Sequence, residues 1–141
     1  MSVLILDMKM NDMIIINGAP IRFHNKVRLE LNGHARFLFG KQIMAPGEDN
    51  SPARRIYYAV QTAYIGNDQE RPGGRAAVHR FCNDFSEATT SETVRSLLAQ
   101  VLVAVDSDRC YEALKIVKRI VAHEKAVLEL AGRDRGMESA A

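Results

Sequence analysis

The chain has 141 residues, of which 47% are hydrophobic and 26% charged, with a formal net charge of +2. That length suits one domain, or two small halves sharing a core, and the composition is that of a folded globular protein. So slight a net charge neither demands nor excludes a nucleic-acid partner, and any anion site must come from local clustering. No run approaches the roughly 18 apolar residues of a membrane span, and the N-terminus lacks the basic flank and cleavage site of a signal peptide. A cytoplasmic protein without a membrane partner is expected.

Residues 3–8 (Val-Leu-Ile-Leu-Asp-Met) read as a short apolar strand. Two Asn-Gly pairs follow, Asn17-Gly18 and Asn32-Gly33, each flanked by apolar alternation, the strongest short-range hairpin signal. A two-residue turn at Asn17-Gly18 sets Ile16 opposite Ala19 and Ile14 opposite Ile21. Two further turns are expected as three-residue loops, over 24–26 and 32–34. They pair Phe23 with Val27, Ile21 with Leu29, Leu29 with Phe37 and Val27 with Phe39. These registers gather Ile14, Ile16, Ala19, Ile21, Phe23, Val27, Leu29, Leu31, Ala35, Phe37 and Phe39 on one face, and a one-residue slip would reverse every side chain. On the other face Arg22 then stands across from Arg28, and Glu30 across from Arg36. Like charges directly opposite are mildly destabilising. Either an anion lies over them, or the long side chains splay into water at little cost.

The stretch from Met44 to Gly66 joins the strand-rich start to a helical remainder. Ala45-Pro46-Gly47 holds it as a loop; Ser51 caps a helix whose first residue is Pro52, and Gly66-Asn67 ends it. Ile56, Ala59, Val60 and Ala63 share one stripe and face the core, with Arg54, Arg55 and Tyr58 off it. Tyr57 and Tyr64 edge the core, and Tyr58 is freer. Residues 67–74 read as a polar, breaker-rich loop. Val78, Phe81, Cys82 and Phe85 mark the next helix. Thr89 and Glu92 have capping-box spacing and open a helix with Val94, Leu97, Leu98, Val101, Leu102 and Val105 on its stripe. After Asp106-Ser107-Asp108 a last long helix carries Cys110, Ala113, Leu114, Val117, Val121 and Leu128 inward. Its outer face holds Lys115, Lys118, Arg119 and Lys125, the pattern of a solvated surface. Cys82 and Cys110 read as buried free thiols of a reducing compartment; a disulfide requires their helices to meet there.

The predicted architecture is α+β: an antiparallel N-terminal hairpin sheet of about four or five strands, then a helical bundle of about four helices. Residues 1–44 form the sheet, 45–131 the helical part packed on it in one compact domain, and 132–141 a flexible tail.

No catalytic constellation emerges. Gly73-Gly74 is not a phosphate cradle after a strand, and His24, His34, His79 and His123 lack metal-ligand spacing. Ser51 is a cap and no nucleophile elbow, and Glu48-Asp49 have no evident partner acid. A non-enzymatic protein without a cofactor or metal is expected. A nucleic-acid binder fits better. Arg22, Arg28, Arg36 and Lys41, with Arg54 and Arg55, supply phosphate contacts, and Tyr58 supplies a ring for stacking on unpaired bases. The bland alternative pairs Arg54 or Arg55 with Glu48 or Asp49.

Asn17-Gly18-Ala19 in a hairpin, then Ile43-Met44-Ala45-Pro46, then Asn50-Ser51-Pro52-Ala53-Arg54-Arg55-Ile56-Tyr57-Tyr58-Ala59-Val60-Gln61, resembles the FlbT family of bacterial flagellin regulators. The resemblance covers roughly the first two-thirds of the chain, and its most specific part is Pro-Ala-Arg-Arg-Ile-Tyr; Pro20 and the 67–74 stretch depart from the pattern. It implies a post-transcriptional regulator that binds the 5′ untranslated region of flagellin mRNA, repressing translation and promoting decay, with a positive effect in some members. It also implies FlaF as a companion of opposing role, and no catalytic residues. The strand-rich start is similar in pattern to CsrA-type RNA-binding sheets. With this resemblance the arginine-bearing sheet face is expected to hold RNA. Two other readings compete: an adaptor engaging FlaF, flagellin or an export component through apolar helices, and a sheet-mediated homodimer.

Overall fold

The computed structural model describes residues 3–140, with side chains through Arg133. Five strands precede four helices, so the α+β architecture stands as expected. The strands are β1 (Leu4–Met8), β2 (Met13–Ile16), β3 (Ala19–Arg22), β4 (Val27–Leu31) and β5 (Phe37–Phe39). A 3-10 turn, Gly40–Gln42, leads into the helices α1 (Pro52–Ile65), α2 (Glu70–Ala88), α3 (Glu92–Asp106) and α4 (Cys110–Ala140).

The Asn17-Gly18 turn is as predicted. Both residues take positive φ, 49° and 86°, and Ile16 faces Ala19 while Ile14 faces Ile21. The rest of the predicted pairing is corrected. Following the Ile16↔Ala19 ladder outward, without a slip, leads to Met13↔Arg22 and, past a break, to Met8↔Val27 and Leu4↔Leu31. β1 to β4 are therefore the two arms of one long hairpin, and residues 24–26 do not reverse the chain. The reason lies on the facing arm, where residues 9–12 form their own irregularity. Lys9 N donates to Asp12 Oδ2 at 2.8 Å and Asn11 N to Phe23 O at 2.7 Å, so the two arms bend together and stay paired. Asn32-Gly33 is not a hairpin either. It carries the chain from β4, paired with β1, to β5, paired with the far edge of β2 through Ile14↔Phe39 and Ile16↔Phe37. The result is a three-stranded sheet, β3-β2-β5, and a two-stranded ribbon, β1-β4.

These registers do place Ile14, Ile16, Ile21, Phe37 and Phe39 on a common face, but the opposite face meets the helices. Leu38 is fully buried in the helical core and Ile15 packs against it. Ile14 and Met8 are buried outside that core. β5 is too short for alternation to say which of its two faces the helices would cover.

α1 is the central helix and packs on both α2 and α4. Its stripe of Ile56, Ala59, Val60 and Ala63 is buried as expected. The predicted loop over 67–74 is shorter than supposed, because α2 starts at Glu70 and runs through Pro72, Gly73 and Gly74. Proline is tolerated in a first helical turn. Gly74 lies so close to α1 that an added Cβ would come 2.7 Å from Ala63 N and 3.1 Å from Ala59 O. The glycine read as a breaker is what lets two helices touch.

The cap of α3 is also displaced. Ser91, not Thr89, accepts from the helix, at Val94 N (3.2 Å), and Thr89 Oγ1 accepts from Ser91 N. Arg95 holds this joint by donating to Ser86 O at 3.1 Å and to Thr89 O at 2.6 Å. α4 buries Cys110, Ala113, Leu114, Val117 and Ile120, but Leu128 is 58% exposed, since the core ends short of it. The helical backbone continues to Ala140 through most of the stretch read as a tail, and Ala141 lies outside the described residues. Cys82 and Cys110 are buried free thiols. Among the described residues no helix is long and apolar enough to cross a membrane.

Candidate nucleic-acid interface

The N-terminus of α1 is fixed before any ligand is considered. Ser51 Oγ accepts from Arg54 N at 3.2 Å, and Glu124, reaching over from α4, accepts from Ala53 N at 2.9 Å. Arg54 and Arg55 follow at once, with no acidic residue in the first turn. Cations there oppose the positive end of the helix dipole, at a cost of about 0.3–1 kcal/mol each. A sequence that breaks a local rule so directly often does so at a working site.

The segment after β5 is pinned to α1 by side chains one helical turn apart. Tyr57 donates its hydroxyl to Gln42 O at 2.6 Å. Gln61, the one buried polar residue among those described, takes both groups of Met44: it accepts from Met44 N at 2.8 Å and donates to Met44 O at 2.9 Å. Gln42 in turn donates to Tyr111 Oη of α4 at 3.2 Å. Much of the family-like motif around Tyr57 and Gln61 is thus a clamp on residues 42–44.

That clamp brings Lys41 beside Arg54 and Lys118. The three cations, from the 3-10 turn, α1 and α4, line one open cleft of about 180 Å³ together with Tyr57 and a single carboxylate, Glu48. Among the described residues none of the three forms an ion pair. Arg54 Nε is shut off from solvent yet donates to no acceptor among the described residues. A buried charged donor left this way typically costs 1–3 kcal/mol or more, which an anion in the cleft would offset.

Of the residues predicted from sequence, the structure brings together Lys41 and Arg54 and disperses the rest. Arg22 ends β3 across from Met13, not across from Arg28. Arg28 lies on the ribbon across from Asp7, where its Nε donates to Asp7 Oδ1 at 2.8 Å. That hydrogen bond and the guanidinium charge hold Asp7 below its ordinary pKa, and the same bond with the carboxylate charge raises that of Arg28. Glu30 stands across from Ile5, not Arg36. Arg36 precedes β5, half-buried, with its backbone bonded to Asn17. The expected oppositions of Arg22 with Arg28 and of Glu30 with Arg36 therefore do not form. They require two chain reversals that the protein does not make.

Tyr58 is half-buried and packs against the core, so it is less free than expected. Arg55 is exposed on the other flank of α1, beside Phe81 and Phe85 of α2 and the carboxylates Asp84 and Glu124. Lys118, on the basic outer stripe of α4, joins the site although its pattern is that of a solvated face. The available signal was its place on a basic stripe, but nothing in the sequence said which of those lysines meets the turn before α1.

The family model described as flagellar protein FlbT matches residues 4–128. A protein of Mesorhizobium japonicum named "Probable flagellum biosynthesis repressor protein FlbT" is 31% identical over 126 residues, covering 87% of this chain and 83% of its own. Relatives of the same name from a Chelativorans species and from Brucella ovis are each 29% identical, over 133 and 113 residues, covering 88% and 74% of their own lengths. No solved structure matches. The chain belongs to the FlbT family of flagellar proteins.

Proposed function

We propose that this protein is a non-enzymatic repressor of flagellar gene expression that works by holding RNA in the Lys41–Arg54–Lys118 cleft. The names of its relatives supply the repressor role. The observation that carries RNA as the ligand is the convergence of three unpaired cations from three elements, one with a buried donor lacking an acceptor. Phosphates meet all three requirements of such a site, in charge, acceptor geometry and size. The target is the 5′ untranslated region of flagellin mRNA. Occupying it represses translation in the cytoplasm and leaves decay to host ribonucleases, with FlaF as an opposing companion.

The test is a gel-shift titration of flagellin leader RNA against a scrambled control. The variant Lys41→Ala/Lys118→Ala removes two exposed cations without touching the clamp. Its affinity is expected to fall at least tenfold, and the salt dependence to flatten by about 0.7 per lost phosphate contact. Arg22→Ala is expected to bind as the parent does. Unchanged affinity in the double variant would remove the cleft from the site.

The sheet-mediated homodimer reading keeps one observation in its favour, an apolar β1-β4 ribbon that its own chain covers only in part.

A further inference from the structure

Among the described residues the β1-β4 ribbon contributes nothing to the helical core and pairs with no third strand. On one face it carries Leu4, Leu6 and Met8 across from Leu31, Leu29 and Val27. Of these only Met8 is buried, and Leu4 and Val27 are 40% and 38% exposed. Isolated two-stranded ribbons are marginal in water, and an open edge invites a further strand.

The sequence of β4, Val-Arg-Leu-Glu-Leu, says which strand. Laid antiparallel on a second copy of itself about a two-fold axis at Leu29, it sets Val27 against the other copy's Leu31 and Arg28 against the other copy's Glu30. The same two contacts recur on the other side of the axis. Opposite charges directly across an antiparallel pair are the favourable arrangement, and a surface matched to itself is what a two-fold interface requires. Among the described residues Glu30 accepts only a long hydrogen bond, 3.4 Å, from Asn32 Nδ2, which leaves it available for this role. The outer edge of β1 lacks the match. Its own two-fold pairing about Leu6 would set Ile5 against Asp7.

We propose that β4 is a homodimerisation edge, joining two copies through an antiparallel β4–β4 pair into a four-stranded β1-β4-β4-β1 sheet. Its apolar face then runs unbroken across both copies. On the other face each Arg28 lies between Asp7 of its own chain and Glu30 of the other. Exposed ion pairs of this kind fix register and orientation more than they add affinity.

The experiment is sedimentation of nuclease-treated full-length protein across a concentration series, so that the outcome is independent of the RNA reading. The parent is expected to dimerise. Glu30→Arg leaves the Asp7–Arg28 pair intact but sets like charges across the axis twice, and its dimer dissociation constant is expected to rise about tenfold or more. Arg28→Glu alone is expected to be weakened likewise. Mixing the two variants restores opposite charges at both contacts, so a heterodimer of near-parent affinity is expected, with circular dichroism checking that each variant folds. A monomeric parent, a Glu30→Arg dimer of unchanged strength, or a mixture that does not re-associate would each overturn the proposal.

Discussion

Ile56 and Ile5 are the same residue in two unlike regions. Ile56, in the second turn of α1, is wholly buried in the helical core, whereas Ile5 on the ribbon is 55% exposed. The helical body is held by burial of Val, Ile, Leu and Ala at helical spacing, each large side chain contributing about 1.5–3 kcal/mol. The ribbon is held by strand pairing, one exposed ion pair and an apolar face that its own chain covers only in part. Two kinds of patterning produce this difference. An apolar stripe along each helix meets another such stripe, while β1 and β4 find only each other. What is stable alone is the body; what is left over for a partner is the ribbon.

The sharpest way to break the comparison is to make one substitution in both places. Ile56→Ala is expected to destabilise the protein by about 2–5 kcal/mol in chemical denaturation, since it leaves a cavity among buried neighbours. Ile5→Ala, on an exposed strand, is expected to stay within about 0.5 kcal/mol. Equal losses would mean that the ribbon is part of the core after all.

A smaller effect tests the clamp that positions the cleft. Gln61→Leu keeps much of the side-chain volume but strips both partners from the buried backbone of Met44, so a loss of about 1–3 kcal/mol is expected. RNA affinity should fall with it, because Lys41 sits on the released segment. A variant as stable as the parent would show that the Gln61 bonds do not hold residues 42–44.

The gentlest probe is pH, to which the two regions answer at opposite ends. Burial pushes the Cys82 thiol up to about 12, and Cys110 and Tyr57 are raised for the same reason. A raised acid stays neutral in the folded state while the unfolded chain ionises near its ordinary 9.0, so Cys82 costs no stability below that pH. Above it, stability is expected to fall by up to about 1.4 kcal/mol per pH unit for this thiol as pH approaches 12, read as a falling melting temperature. Asp7 is depressed, so its contribution is present above its ordinary 3.8 and is lost as pH drops through its lower folded value. In acid the melting temperature of the body should hold while the ribbon amides lose protection relative to their intrinsic exchange rates. A melting temperature that does not respond to alkali would contradict the buried thiol.

Much of this was legible in the sequence where the signal is local. Ser51-Pro52 starts α1, Asn17-Gly18 makes its hairpin, and stripes such as Val94 to Val105 go inward, because capping, turn conformation and periodicity depend on neighbours a few residues away. Gly74 shows where local reading ends: its meaning comes from Ala59 and Ala63, residues on another helix. The same holds for the candidate site. Arg54 is recognisable as an unusual cation at a helix start, but its companions Lys41 and Lys118 lie far from it along the chain.

The sequence by itself determined the α+β class, the helix stripes, the first hairpin and the family likeness. The tertiary structure alone decided which strands pair, which face of the sheet meets the helices and which cations share a cleft. Turn residues allow a reversal without requiring one. Residues 24–26 pass straight on because residues 9–12 bend beside them, and that mutual choice exists only between segments that the chain has already brought together.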